Sequence, residues 1–188
     1  MIKIITQYIS IIIVLFICNA AHAQTHQFKT EFLTRINSTR IKGCNCGNIW
    51  FPPAQPLIWN DELYIAALGH AKDMATKAYF SHDSKDGRTM ENRLLNAGYT
   101  YKGYKSYAIG ENIAQGQESI NEVMTGWFKS VGHCKNLMNS DFKEVGVAEY
   151  NYYWVQDFGG RAPFSVEQQM QLKSGKYKLV QQKGNHHD

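Results

Sequence analysis

With 188 residues, 44% of them hydrophobic and 19% charged, the chain has the length and apolar content of one folded domain. Its formal net charge is +4, and the basic residues are scattered rather than massed on one stretch, which argues against a nucleic-acid partner.

The N-terminus carries Lys3, an apolar stretch from Ile9 to Ile17, and Ala21-His22-Ala23 before Gln24. That order predicts a secretory signal peptide over residues 1–23, cleaved after Ala23. The apolar core is too short to cross a bilayer comfortably as an anchor. Cys18 raises the alternative of a lipoprotein, but it follows Ile17, where such signals need a small side chain. No second apolar span follows, so the mature chain is expected to lack a transmembrane segment and to be secreted, extracellular or periplasmic. One domain is expected over residues 24–161, and a loosely attached polar tail over 162–188. His186 and His187 close that tail and read as incidental rather than as a metal site.

Phe28, Phe32 and Ile36 recur at helical spacing and predict a first helix from about Thr25 to Arg40. Residues 41–59 are punctuated by Gly, Cys and Pro, which predicts an irregular loop. Asn60 is placed to cap a second helix, with Asp61 and Glu62 in its first turn. Leu63, Ala66, Ala67, His70, Ala71 and Met74 form one apolar stripe along it. A shorter helix is expected from Thr89 to Ala97, ended by Gly98. Tyr99 to Gly116 predicts a loop feeding an irregular strand. Ile120, Val123, Met124, Trp127, Phe128 and Val131 keep helical register and predict one helix ending near Gly132. Glu144–Glu149 and Tyr152–Phe158 predict a hairpin turning at Tyr150 and Asn151. Helices followed by strands without regular alternation indicate an α+β fold with helices on a small antiparallel sheet.

Cys44, Cys46 and Cys134 follow the signal sequence. Export makes one disulfide expected and leaves one thiol over. Three pairings are open, of which Cys44–Cys46 would be tight and strained, and Cys46–Cys134 is the expected one. A loop of that length is worth about 4–5 kcal/mol in the chain-entropy model.

Two histidines sit beside Gly and polar residues at the edges of helical segments: His82 in Phe80-Ser-His-Asp, and His133 in Val131-Gly-His-Cys134. A neutral imidazole can ligate a metal or act as a base near neutral pH. His70, on its helix's apolar stripe, is instead expected to be a satisfied, partly buried structural residue. Tyr99, Tyr101, Tyr104, Tyr107, Tyr150, Tyr152 and Tyr153 could line a groove for lipid, peptide or glycan, or pack against the sheet.

Ordered pieces run from residue 28 to 160: Leu57-Ile-Trp-Asn-Asp-Glu-Leu63, His70-Ala-Lys-Asp-Met74, Phe80-Ser-His82, Gly110-Glu-Asn-Ile113, Trp127-Phe-Lys-Ser-Val-Gly-His-Cys134 and Tyr153-Trp-Val-Gln-Asp-Phe-Gly159. On these the chain resembles the bacterial branch of the CAP superfamily, which joins cysteine-rich secretory, antigen 5 and pathogenesis-related 1 proteins. The resemblance implies a three-layer α-β-α sandwich with a broad cleft carrying two histidines and two acids. By position these are His82, His133 and Glu111, with Ser130 at the fourth, where many relatives have Glu.

The resemblance therefore implies a site for Zn²⁺ or another divalent cation on His82, His133 and Glu111. The lost carboxylate weakens that site. Glu111 could ligate directly or orient a ring through a hydrogen bond. His82, Glu111, Ser130 and His133 are also the candidates for hydrolysis, with Ser130 as nucleophile, but Ser130 lacks the G-x-S-x-G elbow. The expected role is a binding module for a lipid, a peptide or a cell-surface protein. The alternatives are a protease or esterase using the same cleft, or a sterol carrier.

Overall fold

A computed structural model describes residues 26–175; the expected signal sequence and the end of the tail lie outside them. Helix α1 occupies residues 26–40 and buries Phe32 and Ile36 completely. The next stretch is more ordered than its composition suggests. Strands β1 (Cys44–Cys46) and β2 (Ile49–Phe51) form a small antiparallel hairpin, and β3 (Ile58–Trp59) follows.

Helix α2 (Asp61–Lys77) begins where the Asn60 side chain accepts from the Leu63 N–H, and it buries the predicted stripe from Leu63 to Met74. Helix α3 (Met90–Asn96) starts on a capping box between Thr89 and Asn92. The long strand β4 (Ser106–Gln115) follows, where the sequence suggested mostly loop.

The helix expected from Ile120 through Gly132 is two helices. Ser130, at φ −78° and ψ 124°, leaves the helical region and divides α4 (Ile120–Lys129) from α5 (Val131–Met138). His133 consequently lies inside α5 rather than after a helix. Strands β5 (Glu144–Tyr150) and β6 (Tyr153–Ala162) form the predicted hairpin, turning through Asn151 and Tyr152 with φ of 50° and 63°. Positive φ at both central residues is what a two-residue turn matched to strand twist requires.

The main sheet has the order β3-β5-β6-β4. It is mixed rather than wholly antiparallel, because Ile58 and Trp59 pair parallel to Glu144 and Val145. Helices α2 and α3 cover one face, and α1, α4 and α5 cover the other, completing the α-β-α sandwich. Val145 and Val147 point to the core with Phe32, Trp127, Leu137 and Phe158, while Ala148 and Val155 meet Ala67, Ala71 and Met74 of α2. Alternate residues of one strand thus serve both layers. Helix α2 approaches so closely that a Cβ on Gly146 would collide with the backbone of Leu63 and Tyr64.

Arg40, at the end of α1, is wholly buried and pairs with no carboxylate among the described residues. Its guanidinium donates instead to the carbonyls of Gln55 (2.8 Å), Leu137 (2.6 Å), Asn139 (3.0 Å) and Phe142 (3.2 Å). It thereby pins the proline-rich loop and the exit of α5 to α1. Burial lowers its pKa to about 10.

The expected tail is not without structure. Strand β6 continues to Ala162, and Ser165 and Gln168 form a capping box that opens α6 (Val166–Lys173). None of the α6 residues is buried, in keeping with the scarcity of apolar anchors there. Among the described residues no helix is long and apolar enough to cross a membrane.

Candidate functional site

A cleft of about 1720 Å³ runs along the outer edge of β4, and His82, Glu111, Ser130 and His133 all line it. Its walls come from opposite layers: the loop between α2 and α3 carries His82, and α5 carries His133.

His82 is held from below. Its ring Nδ1 donates to Oε1 of Glu111 at 2.7 Å, and Nη2 of Arg93 donates to Oε2 at 2.7 Å. The Glu111 side chain is only 2% exposed and that of Arg93 only 3%, while the His82 ring is more than half exposed. Burial pushes the Glu111 carboxyl up, but the His82 hydrogen bond and the Arg93 charge outweigh it and hold the group below the usual carboxylate range. An ionised Glu111 can only accept, so Nδ1 of His82 carries a proton, and in the neutral ring the lone pair is on Nε2.

The backbone of the same loop is fixed by side chains as well. Arg93 Nη1 donates to the carbonyls of His82 (2.8 Å) and Arg88 (3.3 Å). His70 Nε2 meets the carbonyl of Ser81 at 2.9 Å. His70 is fully buried, and burial lowers its pKa, so the neutral ring donates from Nε2. Its structural role is as expected, but the ring is not satisfied: Nδ1 has no hydrogen-bond partner among the described residues.

On the opposite wall, burial lowers the pKa of His133, and the nearby His82 imidazole lowers it further whenever that ring is protonated, so the neutral His133 ring is favoured. Asn136 of α5 donates to the Glu111 carbonyl (3.1 Å) and to Asn112 Oδ1 (2.9 Å), and Asn112 donates to Gln156 Oε1 (3.0 Å). These amides, of which Asn112 and Gln156 are wholly buried, tie α5 to β4 and set where His133 stands. Ser130 sits at the break between α4 and α5, and its hydroxyl makes no capping hydrogen bond there, contrary to the ordinary role of a serine at a helix end.

Three buried residues of this region escape sequence reasoning. Arg93 is one. Glu91 is another: it lines the cleft and accepts from the hydroxyls of Tyr101 (2.7 Å) and Tyr107 (3.0 Å), whose rings stack at 3.7 Å. The third is Asp157, which pairs in register with Glu111 across β4 and β6 and is wholly buried.

Burial, and then the charge of Glu111, raise the Asp157 carboxyl well above the usual range. A raised folded pKa means that Asp157 favours folding below the unfolded carboxylate value and opposes it increasingly as pH rises above that value. Asp157→Asn supplies a permanent N–H beside Glu111. It is expected to raise stability at pH 7 by on the order of 1 kcal/mol, the common scale for single substitutions. Urea unfolding at pH 7 and pH 3.5 checks this; the gain should vanish at the lower pH.

The cysteines meet at the middle of α5, beside His133. Cys46 and Cys134 form the expected disulfide, with Cα atoms 5.5 Å apart, and Cys44 is the remaining thiol among the described residues.

A profile of the cysteine-rich secretory protein family, CAP, matches residues 53–158, which hold the cleft histidines, Glu111 and the sheet. The chain belongs to this family. Its CAP domain is 35% identical over 109 residues to protein YkwD of Bacillus subtilis, covering 57% of this chain and 40% of that one. It is also 35% identical to an extracellular, SCP-domain protein of Bacillus anthracis, with a TM-score of 0.52, covering 56% of this chain and 34% of that one. The chain thus spans less than half the length of these two relatives. An outer surface protein of Borrelia burgdorferi shares the fold at 22% identity and a TM-score of 0.57, with 72% and 93% of the two chains covered.

Proposed function

We propose that this CAP domain is exported and works as a binding module whose cleft holds a divalent cation, Zn²⁺ by preference, on His82 and His133. The observation that carries the reading is the 2.7 Å hydrogen bond from His82 Nδ1 to Glu111, which fixes the tautomer and leaves Nε2 as donor atom for a metal. His133, kept neutral by burial, offers a second imidazole. Two nitrogen ligands with room for solvent or a bound ligand suit Zn²⁺ as an open site. Both Glu111 oxygens are engaged by His82 and Arg93, which supports an orienting role over direct ligation. Such a two-ligand site binds more weakly than one with a carboxylate in the coordination shell.

Export is supported by the signal-like N-terminus, by the disulfide, and by relatives described as extracellular or outer-surface proteins. Phe51, Pro52, Pro53, Phe80 and Met90 line the same cleft as the polar residues. That mixed lining suits an amphipathic ligand such as a lipid, a peptide or a segment of a surface protein.

Calorimetric titration with Zn²⁺ tests the reading, on a full chain carrying H186A and H187A to remove the terminal histidines. One equivalent should bind; His82→Ala and His133→Ala should each abolish it, and Glu111→Gln should weaken it by about 10–100-fold. Absence of binding, or binding indifferent to both histidines, would overturn the metal site.

A further inference from the structure

The sulfur atoms of Cys44, Cys46 and Cys134 all lie within 4.8 Å of one another. Cys44 Sγ stands 3.9 Å from Cys134 Sγ, in contact with one half of an existing disulfide. Cys44 and Cys46 are two residues apart on β1, so their side chains leave the same face of the strand toward α5. Cys46 and Cys134 are fully buried, with Met138 packed on them, whereas Cys44 is half-buried.

We propose that the three cysteines form an internal thiol–disulfide exchange centre in which Cys134 switches its bond between Cys46 and Cys44. The Cys44 thiol loses its proton to solvent and its thiolate attacks Cys134 Sγ. The Cys44–Cys134 bond forms, the Cys46–Cys134 bond breaks, and Cys46 leaves as a thiolate that takes up a proton. One disulfide and one thiol stand on each side, so no oxidant or reductant enters.

Cys134 is the shared sulfur because it lies on α5, while both competitors lie on one short strand. The exchange moves the point where the hairpin is fastened to α5 by two residues along β1. That fastening matters to the cleft, since the hairpin leads directly into Phe51, Pro52 and Pro53 on its wall and Cys134 adjoins His133. The inference does not depend on metal binding; the experiment reads sulfur connectivity alone.

The test uses the full chain carrying C18S. It is held for hours at mildly alkaline pH, the timescale of uncatalysed disulfide rearrangement, and quenched in acid. The free thiol is then blocked with a maleimide in denaturant near pH 6, and the digest is mapped by tandem mass spectrometry. Asn45 separates the two candidate label sites in sequence, so fragment ions resolve them. The expected result is label on both Cys44 and Cys46, with the Cys44–Cys134 cross-linked peptide growing in as Cys46 becomes labelled. A C46S variant supplies the reference for that peptide and should close the Cys44–Cys134 bridge within the monomer. Label confined to Cys44 at every time overturns the proposal. Label on Cys134, which would mean unspecific scrambling, and disulfide-linked dimers in place of the internal bridge overturn it equally.

Discussion

Replacing Arg93 by alanine is expected to cost about 3–5 kcal/mol of folding stability, the scale for breaking a buried ion pair by removing one partner. The Arg93 and Glu111 side chains are almost wholly buried, and after the His82 hydrogen bond it is the Arg93 charge, at 2.7 Å, that favours an ionised Glu111 beside Asp157. Without the guanidinium, Glu111 faces Asp157 across β4 and β6 with only the His82 hydrogen bond left to favour its charged form. The carbonyls of His82 and Arg88 also lose their donor. Urea unfolding followed by tryptophan fluorescence measures the loss. Arg93→Lys should recover part of it, since a single ammonium replaces charge but not the fork of donors.

The sign of the pH dependence follows from the same pair. Glu111 has a lowered folded pKa, so its contribution is present above the unfolded carboxylate value of 4.5 and is lost as pH falls through the folded one. The gap between Arg93→Ala and wild type should therefore narrow in acid. In a Glu111→Gln background the substitution should cost less at neutral pH, because the stranded charge is gone. A gap unchanged between pH 7 and pH 3 would refute this account of the pair.

Arg40→Ala is expected to be as damaging, at about 4 kcal/mol, because four carbonyls lose a charged donor and a large buried volume empties. Arg40→Met fills most of the space but donates nothing, so the difference between the two variants isolates packing from hydrogen bonding. Both midpoints should fall without a change in the denaturant slope, since the surface exposed on unfolding is nearly the same. If methionine proves neutral, the carbonyl clamp is not what holds the proline-rich loop.

Much of this fold was legible because its helices bury one face. The stripe from Leu63 to Met74 is the buried face of α2, whose cap at Asn60 is as expected, and Thr89 caps the helix it precedes. Periodicity fails at Ser130 for a physical reason: Val131 stays in register with Trp127 although the backbone between them turns, and apolar spacing carries no mark of a single residue's ψ. The parallel pairing of β3 is invisible because two residues have no period. In the site, His82, Glu111 and His133, the residues the sequence singles out, line one cleft. Arg93, Glu91 and Asp157 are missed because charged residues are ordinarily at the surface. Only Asp157 leaves a trace: it is a charge inside the apolar strand Tyr153-Trp-Val-Gln-Asp-Phe-Gly159, where a buried acid needs a reason.

The loop that carries His82 has few backbone hydrogen bonds of its own, those between Ser84, Gly87 and Arg88. It is suspended from two interior side chains, Arg93 and His70, reaching outward from helices. Such a segment can detach without melting the helices behind it, so its amides belong to an opening event of lower free energy than global unfolding. The cleft therefore has a loop held by side chains on one side and a wall tied by a disulfide on the other. A ligand that contacts this loop is expected to slow hydrogen exchange at residues 80–88 by about the factor by which it is in excess of its dissociation constant, which makes those amides a reporter of occupancy.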